Sequence, residues 1–135
     1  AFDQDIQESI ARLEQYSQQY DEIYFPIALN YGSRDEIISG IRKLAQDVAD
    51  GKVKPEEIDE HVFDNYLDTA GIPDPDLMIR TSGELRLSNF LLWQMAYTEF
   101  YFTDVAWPDF NKAELIKAIE KYNQRDRRYG GVKEE

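Results

Sequence analysis

Apolar residues recur at helical spacing in three stretches of the chain. Phe2, Ile6, Ile10, Leu13 and Tyr20 fall near one face, which predicts an amphipathic helix over 2–20. Ile37, Ile38, Ile41, Leu44, Ala45 and Val48 form a second stripe. Ahead of it, Ser33-Arg34-Asp35-Glu36 fits a capping box, with Ser33 as cap and Glu36 reaching back, and Gly51 supplies the stop. Leu115, Ile116, Ile119 and Tyr122 mark a last helix, capped from Asn111-Lys112-Ala113-Glu114, and Pro55-Glu56-Glu57 opens a shorter helical stretch through about Leu67. Short apolar and aromatic runs predict strands at Ile23–Leu29, Leu77–Ile79 and Thr98–Phe102. Pro26 lacks an N–H and pushes the first of these toward an edge or irregular position. Asn30-Tyr31-Gly32 is a turn, Pro73 and Pro75 break the chain before Leu77, and Pro108 breaks it again. Asn89–Gln94 predicts a buried helix with Ser88 at its head. Strands alternating with helices give an α/β domain over 1–135, a mainly parallel central sheet covered by helices. Such sheets collect ligands at the carboxyl ends of their strands, and Arg80 stands at one.

Composition narrows the function classes. The 135 residues suit one domain, and 42% hydrophobic content argues against disorder. A formal charge of -12 opposes nonspecific nucleic-acid binding, which needs a basic surface. It does not oppose a small anion at a local arginine cluster, because exposed charges are screened beyond about 8 Å at physiological salt. Without cysteine there is no disulfide, zinc–thiolate site or thiol nucleophile. The single histidine, His61, cannot form a histidine-based metal site and reads as a surface helix residue. No apolar run reaches the ~18 residues of a membrane span, and the polar, acidic start does not resemble a signal peptide. A cytoplasmic protein is the expectation.

The stretch from Asp76 to Phe102 carries the chemistry. Leu77–Ile79 ends in Arg80, the polar turn Thr81-Ser82-Gly83 follows, and then come Arg86 and Ser88 before an apolar run. Arginine grips phosphate oxygens through a planar fork of donors, and a helix start offers unpaired N–H groups. Two cations and a hydroxyl around one loop predict a phosphate or diphosphate site. Plain N-capping accounts for Ser88 equally well, and pairing with Glu84 or another acid is the structural alternative for Arg80 and Arg86.

These residues resemble the cis-prenyltransferases, the family of undecaprenyl diphosphate synthase. Ile79-Arg80-Thr81-Ser82-Gly83-Glu84 and Arg86-Leu87-Ser88-Asn89-Phe90-Leu91-Leu92-Trp93-Gln94 match its C-terminal signature. The match runs on through Tyr97, Glu99, Tyr101-Phe102, Asp104, Trp107-Pro108 and Phe110. Asn30-Tyr31-Gly32-Ser33-Arg34 resembles the family's Asn-Tyr-Gly-Gly-Arg segment, with Ser33 in place of a glycine, and Arg128-Tyr129-Gly130 resembles its terminal Arg-x-Gly. The family's Asp-Gly-Asn-Gly-Arg-Trp segment, whose aspartate serves magnesium and catalysis, has no counterpart in this sequence. The resemblance therefore implies the C-terminal portion of a larger domain, with no catalytic residue of its own and no activity in isolation.

The resemblance implies condensation of isopentenyl diphosphate with an allylic diphosphate, in a Mg²⁺-dependent reaction that makes a polyprenyl diphosphate lipid carrier. Arg80, Arg86 and Ser88 would bind the isopentenyl diphosphate, and Glu99 would bind Mg²⁺. Arg128 and Gly130 would reach the partner's site across a homodimer. Asn30 and Arg34 match a segment near the active site, and Glu84 could orient Arg80 or Arg86. Outside the resemblance, Glu99 reads as an outward-facing strand residue, Arg34 as part of a solvated helical turn, and Arg125 and Arg127 as cations suited to a helix C-terminus. The aromatic-rich stretch Phe90–Trp107 is expected to be mostly core and dimer interface. The lipid product implies work beside a membrane without spanning it. Two other functions fit less of the pattern: a noncatalytic subunit of a heteromeric prenyltransferase, and a generic phosphate-binding α/β module.

Overall fold

The computed structural model describes residues 3–125. The chain divides into two compact units, Ala1–Asn30 and Tyr31–Glu135. The first holds helix α1 (Gln4–Ser17), shorter than the stripe predicts, and Phe2 lies outside the described residues. None of the residues of α1 is buried. Ile23–Leu29 is not a strand, a correction to the expectation from its β-formers. Pro26 cannot donate to a ladder, and among the described residues no strand pairs with this run. A lone extended segment has no partner for its backbone groups, so propensity alone does not make a strand.

The second unit opens with α2 (Ser33–Ala49), which Gly51 terminates in the left-handed region at φ +72°. A 3-10 turn at Pro55–Glu57 precedes α3 (Glu60–Asp64), so the helical stretch expected there is two short pieces. Asp59 caps α3 by accepting from the Val62 N–H at 2.8 Å. Leu44 from α2, Phe63 from α3 and Leu67 just beyond it form a buried core, against which Ile37, Val48, Tyr66 and Trp93 pack. The Phe63 and Trp93 rings meet edge-on at 4.8 Å. Gly40 makes this closeness possible, because a Cβ there would lie 3.1 Å from the Tyr66 carbonyl oxygen and 3.3 Å from the Phe63 ring. His61 is an exposed residue of α3, as expected.

Strands β1 (Leu77–Arg80) and β2 (Glu99–Phe102) pair in parallel, with Leu77 opposite Glu99 and Arg80 opposite Phe102. Thr98 fixes the entrance by donating its hydroxyl to the Pro75 carbonyl at 2.7 Å. Beyond the strands, the Ser82 and Gly83 N–H groups donate to the carbonyls of Val105 and Thr103, so the two exit loops pack as one layer. Helix α4 (Lys112–Asn123) covers β2, burying Ala118 completely. Asn111 caps it as the sequence predicts, with Oδ1 accepting from the Ala113 and Glu114 N–H groups. The aromatic stretch divides between core and the surface of this chain. Tyr101 is core, but Phe90, Tyr97, Phe102 and Trp107 are exposed. No helix among the described residues is long and apolar enough to cross a membrane.

Candidate diphosphate site

Arg80 ends β1 at the carboxyl edge of the sheet, where the backbone turns away through Thr81-Ser82-Gly83. It shares a cavity of about 120 Å³ with Arg86, walled by Met78, Ile79, Phe90 and Met95. The Nε of Arg80 is buried and has no hydrogen-bond partner. A guanidinium donor shut away from water without an acceptor is costly, and an anion would relieve it. Arg86 is more exposed and pairs with Glu84. Glu84 therefore partners Arg86, one of the two options the sequence left open. Apolar walls with two convergent cations suit the charged head of a small ligand that also carries hydrocarbon.

A second cavity, of about 200 Å³, is lined by Asp64, Thr69, Asp74 and Gln94 among others. Burial and then the charge of Asp64 push the carboxyl of Asp74 above its usual range. Acceptors dominate that cavity, so it repels a diphosphate.

The loop carrying Ser88 corrects the expectation of a helix. Ser88, Asn89 and Leu91 have φ of +52°, +63° and +44°, in the left-handed region, and turns rather than a helix occupy 89–94. Ser88 is exposed and heads no helix, so capping does not explain it. Each such residue without a glycine's freedom costs roughly 1–3 kcal/mol, and neighbours must hold it. The neighbours come from α2. The expected capping box does not form: Gly32 is the cap, with no side-chain cap bond of its own. Ser33 is fully buried, its N–H donates to the Asn89 carbonyl at 2.8 Å, and its Oγ accepts from the Leu92 N–H at 2.9 Å. The Arg34 N–H donates to Asn89 Oδ1 at 3.0 Å, so Arg34 reaches this region through its backbone.

Glu36, expected to reach back to Ser33, instead turns inward and is 4% exposed. It accepts from the Tyr31 hydroxyl, from the Asp68 N–H at 2.9 Å and from Gln94 Nε2 at 3.2 and 3.3 Å. Gln94 Nε2 also donates to Thr69 Oγ1 at 2.9 Å. Burial, reinforced by the bond to Glu36, pushes the Tyr31 hydroxyl up to about 12. These residues were not singled out as a group from sequence. The signal was there: Glu36, Gly40 and Leu44 recur every four positions, which puts the acid on the buried stripe.

Glu99 lies elsewhere. It opens β2 opposite Leu77, three residues from the Arg80–Phe102 pair, or about 10 Å along the strands, and it does not line the arginine cavity. It forms an ion pair with Arg125, whose second nitrogen donates to the Phe100 carbonyl at 2.7 Å. Arg125 thus serves the strand rather than the end of its own helix. Among the described residues no cluster of three or more acids or histidines could hold a metal. The donor set at Glu99 suits only an ion that takes one carboxylate from this chain. Asn30 closes the other unit, in the left-handed region at φ +53°. Arg128 and Gly130 lie outside the described residues.

With this geometry in place, likenesses to known proteins are informative. A family model described as "Putative undecaprenyl diphosphate synthase" matches residues 1–130. An isoprenyl transferase of Chlamydia trachomatis is 49% identical over 127 residues, which make up 94% of this chain and 50% of that protein. The lavandulyl diphosphate synthase of Lavandula x intermedia, solved with dimethylallyl diphosphate, superposes with a TM-score of 0.88 at 44% identity. That match covers 92% of this chain and 53% of the other. A probable undecaprenyl diphosphate synthase from Campylobacter jejuni gives a TM-score of 0.79 at 33% identity, covering 96% and 58%. The chain spans about half the length of the relatives it matches. The sheet, the arginine loop and the likeness agree: this chain belongs to the undecaprenyl diphosphate synthase family, the cis-prenyltransferases.

Proposed function

We propose that the protein is a cis-prenyltransferase that condenses isopentenyl diphosphate with an allylic diphosphate to make a polyprenyl diphosphate lipid carrier. One observation carries the assignment. Arg80, whose buried Nε has no partner, lines one cavity with Arg86, inside the segment that matches the family signature. Arg80 and Arg86 grip the diphosphate of the isopentenyl unit, and Ser88 donates its hydroxyl to it. The apolar walls from Met78, Ile79 and Phe90 face its hydrocarbon. Holding this substrate still lowers the entropic barrier to carbon–carbon bond formation. The bound dimethylallyl diphosphate of the lavandulyl enzyme supports an allylic diphosphate as the other substrate.

Magnesium fits this scheme in one mode. Glu99 would supply a single carboxylate, the rest coming from phosphates, waters and other ligands, as magnesium commonly takes them. When bound, the ion would neutralise charge on the departing diphosphate. Homodimerisation, with Arg128 and Gly130 reaching the partner, and loose contact with a membrane through the product belong to the same proposal.

The test is incubation of the intact protein with labelled isopentenyl diphosphate and an allylic primer. Chain-elongated product is expected, with a sharply raised KM for isopentenyl diphosphate in Arg80→Ala. An unchanged KM overturns the assignment of Arg80. Binding of inorganic phosphate as tight as that of isopentenyl diphosphate would favour a generic phosphate module.

A further inference from the structure

The strained loop and the first turn of α2 are built for each other. A helix start leaves N–H groups without partners, and a residue just before it usually caps them. Gly32 has no side chain to do so. Asn89, far away in sequence, takes the role: its carbonyl accepts from Ser33 and its Oδ1 from Arg34. Gly32 leaves room for this. A Cβ there would lie 2.9 Å from Asn89 Nδ2, although the φ of Gly32, -149°, suits any residue. Ser33 completes the clasp by accepting from Leu92 on the far side of the loop. Two left-handed residues, Asn89 and Leu91, fall within the span these bonds enclose, and a third, Ser88, immediately precedes it. Backbone strain held in this way clusters at ligand clamps.

We propose that Asn89 is a positioning residue for diphosphate binding: by capping α2 from a distance, it holds Ser88 and Arg86 in the arrangement that meets the substrate. Resting on the diphosphate assignment above, this extends it to a residue whose side chain points at the helix instead of the cavity. Asparagine suits the place twice, since it tolerates the left-handed region and offers an acceptor. The two contributions can be separated. Asn89→Asp keeps both, whereas Asn89→Gly keeps the backbone freedom and loses the acceptor.

The experiment measures KM and kcat for isopentenyl diphosphate, with the dissociation constant of inorganic pyrophosphate by calorimetry, on the intact protein. Asn89→Gly should raise KM and weaken pyrophosphate binding on the order of tenfold, with kcat changed far less, since a misplaced clamp costs binding first. Asn89→Asp should restore both values to near wild type. Gly32→Ala, which crowds the Asn89 amide without altering the loop, should move them the same way by less, and it serves if Asn89→Gly does not fold. A lower melting temperature with KM and pyrophosphate affinity unchanged would make Asn89 a purely structural cap and overturn the proposal. Arg86→Ala is the control. If it leaves pyrophosphate affinity unchanged, the diphosphate assignment has failed, whatever Asn89 does.

Discussion

The Glu36 cluster and the Arg80–Arg86 cavity lie in the same unit, and each takes charge out of bulk water, but they are finished differently. Glu36 is buried without a cation, yet neutral donors from Tyr31, Asp68 and Gln94 converge on it. Arg80 sits at a strand end with a buried nitrogen that nothing accepts from. A satisfied buried charge holds structure together, while an unsatisfied one waits for a ligand. Burial alone therefore does not separate structural from functional residues, and neither does a single missing hydrogen bond, since Gln94 Oε1 beside Glu36 is also buried without a partner. What sets Arg80 apart is that its unpartnered group carries the charge.

The largest expected effect follows from that contrast. Arg80→Ala removes charge-assisted bonds of about 1.5–3 kcal/mol each, so KM for isopentenyl diphosphate should rise roughly 100-fold. The melting temperature should hold or rise, because an unsatisfied buried donor goes too. A protein that loses stability in step with affinity would show Arg80 to be structural, and the contrast would break. Glu36→Ala should do the reverse. It strands a hydroxyl, a backbone N–H and an amide that now point at the carboxylate, and should cost about 3–5 kcal/mol in denaturant titrations. A loss below about 1 kcal/mol would mean that water replaces the acid without difficulty.

How far sequence carried this distinction depends on whether a signal is local. The Gly51 stop, the Asn111 cap and the strand ending in Arg80 are written in adjacent residues, and all three are present. The arginine pair was legible through its resemblance to the family signature, because the residues alone were explained as well by pairing with an acid, and Arg86 does pair with Glu84. Left-handed turns at Ser88–Leu91 were not legible. Their apolar pattern suits a helix, and bonds from Ser33 and Arg34, more than fifty positions earlier, help to hold them otherwise. The capping box failed for the same reason, since the donors of α2 already had a partner in Asn89. Ile23–Leu29 had the composition of a strand but no strand beside it.

Tyr31 sharpens the comparison through pH. Its hydroxyl, ordinarily near 10.0, is held up to about 12 by burial and the bond to Glu36. A raised value in the folded state means that this contribution is complete below about pH 10 and is lost as pH climbs toward 12. Ionisation would set a phenolate against a carboxylate. Wild type should therefore lose stability relative to Tyr31→Phe across that window, by denaturant titration at several pH values. Parallel curves would show that Glu36 does not depend on this donor.

The smallest effect belongs to the ion pair at Glu99. Its side chains are 26% and 39% exposed, for Glu99 and Arg125, so solvent weakens the attraction. Arg125→Ala should cost only about 0–1 kcal/mol of stability. Its interest lies in magnesium. Arg125 neutralises the one carboxylate proposed to take the ion, and a guanidinium about 5 Å from a divalent cation repels it by roughly 1–2 kcal/mol in water-like surroundings. Removing it should lower the magnesium concentration at half-maximal activity several-fold, with the difference shrinking as salt is added. A rise instead would mean that the guanidinium holds Glu99 in its ligating position. No change in either direction, together with an unaltered magnesium requirement in Glu99→Ala, would leave the pair as a tie between α4 and β2 and remove Glu99 from the site.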